Sequence, residues 1–198
     1  MKIMRSLLLS LSFVLLTSHP LFAAVVTSGE VAELAAHKIE HLANLGKLDE
    51  AFLTKFSTLE IVKLKVSTPA GPAFKVTATQ YAGADGSANS IELIMNESGK
   101  TISQSIKIGA EAVSAPIWRQ MEALSYVEHS LHFLEDSTSL EVKPFLSGLS
   151  FVKLNQVKDE NGNILARVDM TAKDSNNILE ITMKEDGTVA SVTTAIHP

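Results

Sequence analysis

Two stretches of this chain are spelled alike. Leu59-Glu60-Ile61-Val62-Lys63-Leu64 returns as Leu149-Ser150-Phe151-Val152-Lys153-Leu154. Ile91-Glu92-Leu93-Ile94-Met95-Asn96-Glu97-Ser98-Gly99 returns as Leu179-Glu180-Ile181-Thr182-Met183-Lys184-Glu185-Asp186-Gly187. A helical pattern precedes each pair and carries Ile39-Glu40-His41 or Val127-Glu128-His129. Self-similarity at such a distance constrains the fold more than any single motif. The expectation is an α+β chain of two repeated modules, each a helical segment packed on a four-stranded antiparallel sheet. Residues 24–109 would form the first module and residues 110–198 the second, joined side by side or face to face.

The element pattern supports that expectation. Val31, Leu34, Ala35, Ile39, Leu42 and Leu45 recur at helical steps, and Gly46 ends or bends the helix. Leu48 to Phe56 is a second, shorter helical stretch. Strands follow at Glu60 to Val66, around Phe74 to Ala78, at Ser90 to Met95 and at Thr101 to Ile108. Their apolar and polar residues alternate, as when one sheet face is wet. In the second half, Ile117, Met121, Leu124, Val127, Leu131 and Leu134 mark a helix starting near Pro116. Strands then run at Leu149 to Val157, Asn163 to Thr171, Ile178 to Met183 and Thr188 to Ile196. Asn161-Gly162 and Asp186-Gly187 are hairpin-turn pairs. The connections are too short for crossover helices, so the strands should run antiparallel.

The first 23 residues read as a signal peptide. Lys2 and Arg5 precede the apolar run Leu7 to Leu16, and Leu21-Phe22-Ala23 offers a small residue for cleavage. The run is shorter than the roughly 20 residues that span a bilayer. Removing residues 1–23 takes the formal charge from −5 to −7. An acidic chain lacks the basic face of a general nucleic-acid binder. With no cysteine there is no disulfide, no thiol nucleophile and no lipid-attachment thiol. The expected place is the periplasm or the outside of the cell, with no membrane insertion after cleavage.

Residues 30 to 196, with the strand–acidic turn–strand element from Leu179 to Val189 as the best local match, resemble tandem exported modules. These are the modules of the β-lactamase-inhibitor-like and PepSY-like families. The resemblance implies inhibition or modulation of exported proteins, or binding near the envelope. It carries no inhibitory residue onto this chain. A cystatin-like arrangement is an equally admissible neighbour in fold.

Catalytic patterns are sparse. The chain has no Gly-x-Ser-x-Gly elbow and no glycine-rich loop leading into a helix. A noncatalytic role in binding an exported protein or peptide is the first expectation, with Trp118, Arg119 and Tyr126 as candidate interface residues. Tyr126 falls away from the apolar helical face and reads as an exposed ring. Trp118 reads as packing where the linker joins the second helix. The alternative is small-ligand or metal binding through helix histidines. His37 and His41 lie one turn apart and could face a common ion; His129 and His132 are a second such pair, with Glu128 or Glu135 as an added carboxylate. His37-Lys38-Ile39-Glu40-His41 also has the spacing of an inverted zinc-protease motif, but no third ligand accompanies it. The sequence implies no cofactor.

Overall fold

The computed structural model describes residues 26–68, 71–112 and 114–196. The expected signal peptide, residues 1–23, and the centre of the Thr68–Pro72 turn lie outside the described residues. The first helix, α1, runs Ser28–Asn44. Thr27 caps it: its hydroxyl accepts the Glu30 backbone N–H while the Glu30 carboxylate accepts the Thr27 N–H. Gly46, at φ 64°, turns the chain away where a side chain would be strained. A short α2 (Ala51–Thr54) leads into β1 (Phe56–Thr68), β2 (Gly71–Gln80), β3 (Ser90–Asn96) and β4 (Thr101–Lys107). The second half gives α3 (Ala123–Asp136), α4 (Lys143–Gly148), β5 (Leu149–Lys158), β6 (Ile164–Ala172), β7 (Asn177–Met183) and β8 (Val189–Ile196).

The expectation of two separate four-stranded sheets is overturned. All eight strands form one antiparallel sheet in the order β4-β3-β2-β1-β5-β6-β7-β8. Its seam is a short ladder in which Thr58 opposes Lys153, Leu59 opposes Val152 and Glu60 opposes Phe151. Alternation along a strand fixes which side chains face the core, but not which strand lies alongside. Two separate sheets would leave β1 and β5 as open inner edges, and an unpaired edge is a liability. Pairing them removes both edges and merges the two halves into one core. Phe52, Phe56, Leu59, Val76 and Leu93 from one half join Leu124, Val127, Leu131, Val152, Leu154 and Ile181 from the other.

All four helices lie against this sheet, with α1 and α3 in mutual contact above it. The opposite sheet face carries charged and polar residues, among them Glu60, Lys75, Glu92, Asn155, Arg167, Asp169 and Glu180. The second helix also starts later than expected. Residues 114–122 are not helical, Ile117 is largely exposed, and α3 begins only after Glu122, whose backbone is extended. Among the described residues no helix is long and apolar enough to cross a membrane.

The similar spellings do not all occupy equivalent places. Ile91, Leu93 and Met95 match Leu179, Ile181 and Met183 in burial and in sheet position. Leu59, however, is matched by Val152, which it faces across the seam, and not by Leu149. A shift of three residues puts the alternating side chains on the wrong face.

Candidate metal centre between the two long helices

Glu33, His37 and Glu40 stand four and three residues apart, so they form one stripe along two turns of α1. Glu128, His132 and Glu135 form the same stripe on α3. The spelling Glu-x-x-x-His-x-x-Glu therefore occurs on both helices, 95 positions apart. The same offset aligns their buried faces. Val31, Ala32, Ala35, Ala36 and Ile39 correspond to Tyr126, Val127, Ser130, Leu131 and Leu134.

The two stripes meet in reverse order, as on an antiparallel helix pair. His132 Nδ1 lies 2.7 Å from Glu33 Oε1, and His37 Nδ1 lies 3.5 Å from Glu128 Oε1. Each histidine thus meets the first glutamate of the other helix. Along α1, His37 Nε2 is 3.6 Å from Glu33 Oε1 and its Nδ1 is 3.9 Å from Glu40 Oε2. The two imidazole rings are 5.8 Å apart, centre to centre. Glu33 and Glu128 are each only 8% exposed and form the floor. The side chains of His37, His132 and Glu40 are about half exposed and form the rim, so ions can reach the site from solvent.

The electrostatics are one-sided. Among the described residues, no lysine or arginine lies within 4.0 Å of Glu33, Glu40, Glu128 or Glu135. Desolvation, first of all, pushes the Glu128 carboxyl up to about 7; Glu40, Glu122 and Glu33 push the same way, and His37 opposes them. Glu135 is also raised to about 7, by desolvation, then by its hydrogen bond with Glu33 and the nearby acidic charges. Burial, with Glu50 and Glu40 adding to it, raises Glu122. Glu128 Oε1 is buried with no hydrogen-bond partner. Such an acceptor costs free energy until something supplies positive charge or a proton.

Two overlapping triads can hold a metal ion: Glu33, His37 and His132, and His37, Glu40 and Glu128. In each, one donor atom per residue lies within 4.8 Å of the others. Zinc holds imidazole nitrogen and carboxylate oxygen at about 2.0–2.2 Å, so donors on one ion sit roughly 4 Å apart or less. Small side-chain rotations suffice.

The structure splits both expected histidine pairs. His37 and His132 come together, while His41 and His129 are exposed and outside the cluster. The ion-sized space forms across the helices rather than along one of them. His129 instead stands over the β7–β8 turn. A Cβ on Gly187 would lie 2.7 Å from its Nδ1, and the φ of 82° there is what calls for glycine. Glu33 went unrecognised among Val31-Ala32-Glu33-Leu34-Ala35, where a lone acid reads as a solvated charge. The available signal was the doubled glutamate–histidine–glutamate spacing. Aligning His41 with His129 hid it, because that register is seven residues, two helical turns, from the structural one.

The candidate interface residues fare unequally. Tyr126 is wholly buried, contrary to expectation, and its hydroxyl donates to the Glu185 carbonyl at 2.6 Å. A ring so large is fully covered because its phenol finds that carbonyl in the β7–β8 turn. Trp118 packs against the core with its ring 4.9 Å from Tyr126, and its indole N–H is buried without a partner. Arg119 is exposed. The three do not form one outward-facing patch. No family model, curated protein or solved structure matches this chain.

Proposed function

We propose that this protein binds divalent transition-metal ions in the cluster between α1 and α3. One observation carries the reading. The histidine of each helix is crossed onto the buried glutamate of the other, and among the described residues no lysine or arginine pairs with these acids. Mixed imidazole and carboxylate donors suit zinc, manganese, iron and cobalt ions better than calcium, which takes oxygen alone. The leader pattern in residues 1–23 supports an exported setting, periplasmic or extracellular, for this binding. The reading assigns no reaction. A role in binding an exported protein or peptide has less support, since Tyr126 is interior.

Calorimetric titration of metal-free protein with Zn2+ tests it. Saturable binding is expected, to be lost in the His37→Ala/His132→Ala variant and kept in His41→Ala/His129→Ala. Absence of binding heat in the unsubstituted protein, with Zn2+ and with Mn2+, would overturn the reading.

A further inference from the structure

We infer that the cluster is a two-ion centre: one ion held by Glu33, His132 and Glu135, the second by Glu128, His37 and Glu40. This rests on the metal-binding reading and specifies its stoichiometry and ligands.

The argument begins with the correspondence between helices. At the offset of 95, Glu33, His37 and Glu40 map onto Glu128, His132 and Glu135. Exchanging the helices therefore turns one proposed ligand set into the other. Each set takes the floor glutamate of one helix together with the histidine and second glutamate of the partner helix. The short cross-helix contacts fall within the sets: His132 to Glu33 at 2.7 Å in one, and His37 to Glu128 at 3.5 Å in the other. Glu135 stands three residues beyond His132, so the stripe of α3 that brings His132 to Glu33 also carries the sixth carboxylate or imidazole ligand toward the first set.

The orientation of His37 points the same way. Its Nδ1 faces Glu128 and Glu40, while its Nε2 faces Glu33. A single ion engaging Nδ1 leaves Glu33, His132 and Glu135 as an intact donor set on the other side. A single ion engaging Nε2 leaves Glu128 Oε1 buried without a partner, and Glu40 idle. Charge gives the same count. Four carboxylates can supply the charge that two divalent cations require, and a single cation uses half of it. Four carboxylates and two imidazoles are also the donor inventory of dinuclear carboxylate centres in helical bundles, which draw it from four helices. Here two helices supply it, with a different spacing.

Mn2+ is the chosen probe, because two Mn2+ ions sharing a ligand environment couple magnetically. Metal-free full-length protein is titrated with Mn2+ by calorimetry and native mass spectrometry, and followed by low-temperature electron paramagnetic resonance. Two ions per chain are expected, with an exchange-coupled spectrum at two equivalents. Glu33→Gln and Glu128→Gln should each bind one ion and show an uncoupled spectrum, with the circular dichroism of the parent. Saturation at one ion in the unsubstituted protein, or two ions with no coupling, would sink the two-ion centre and leave metal binding standing. No binding of Mn2+ or Zn2+ would remove both.

Discussion

Acidic side chains gather in two places on this molecule and are treated differently. On the open sheet face, Asp169 accepts hydrogen bonds from Asn155 at 2.7 Å and from Arg167 at 3.3 Å. Arg167 also reaches Glu180 at 4.0 Å, and one hairpin over in the first half, Lys75 lies 3.5 Å from Glu92. Burial still holds the Asp169 carboxyl above its ordinary value, with Arg167 pulling it back. Between the helices, Glu33, Glu40 and Glu128 have histidines within ion-pair distance, and among the described residues neither they nor Glu135 have a lysine or arginine there. The sheet face is a closed account of charge. The helix cleft is in deficit, and its missing positive charge must come from protons or from metal ions.

The largest expected effect of that difference is stabilisation by metal. A ligand at one hundred times its Kd stabilises the folded state by about 2.7 kcal/mol. For a chain of this size that raises Tm by roughly 5–10 °C. Zn2+ or Mn2+ should produce such a shift in a thermal melt, and a chelator should reverse it. Sodium chloride at the same ionic strength should not reproduce it. A shift that survives in His37→Ala/His132→Ala would place the bound ion elsewhere and break the comparison.

Next come paired substitutions with opposite signs. Arg167→Met removes the nearer cation from the sheet-face network and leaves Asp169 half-buried with Asn155 and the weaker influence of Lys153 across the ladder. A loss of about 1–3 kcal/mol is expected in urea unfolding, because the acid keeps its desolvation cost and loses its partner. Glu128→Gln removes charge from the cleft. In metal-free protein at pH 8 it should raise stability by about 1–2 kcal/mol, below the roughly 3 kcal/mol ceiling of the full displacement of its pKa. With saturating metal the sign should reverse, since the variant loses a ligand. Destabilisation by both substitutions in metal-free protein would mean that the cleft acids are already balanced.

The pH dependence follows from the same group. The Glu128 pKa rises from 4.5 to about 7 on folding. Between those values the folded chain keeps a proton that the unfolded chain has released. Stability of metal-free protein should therefore fall as pH rises from about 4.5 to 7 and level off above. Glu40, Glu122, Glu33 and His37 face this carboxyl and broaden the transition. Urea midpoints across pH 5 to 8 should show the decline, and Glu128→Gln should make it shallower, leaving the part that Glu135 contributes in the same window. A parent curve that rises through this window would contradict the cause assigned to Glu128.

How much of this was legible in the sequence depends on the range of the interaction. Hairpins were legible, because Asn161-Gly162 and Asp186-Gly187 fix turns locally and the strands beside them alternate visibly. The single sheet was not. Its seam joins Leu59 to Val152 through three facing pairs, and nothing within either strand names the other. In the cleft, His37, Glu40, Glu128, His132 and Glu135 were each visible as candidate ligands, but along one helix at a time. Their grouping depends on which faces of α1 and α3 touch, and neither helix states that by itself. Glu33 was hidden because a floor position requires knowing that the opposite helix covers it.

The smallest effect expected concerns the ends of the two helices that carry the ligands. At α1, Thr27 and Glu30 satisfy each other's backbone N–H groups. At α3, Glu122 occupies the cap position without a side-chain hydrogen bond to the helix. Its carboxyl is instead raised by burial and by Glu50 and Glu40. Thr27→Ala should therefore cost about 1 kcal/mol, whereas Glu122→Ser should gain about 0.5–1 kcal/mol by supplying a hydroxyl to the first turn. Glu122→Ser also withdraws one acid that presses on Glu128, so it should lower the pH at which metal-free stability levels off. Chemical denaturation of both variants at pH 6 and pH 8 reads the two effects together. If Glu122→Ser gains stability equally at both pH values, capping alone accounts for it, and Glu122 does not belong to the field of charges around the cleft.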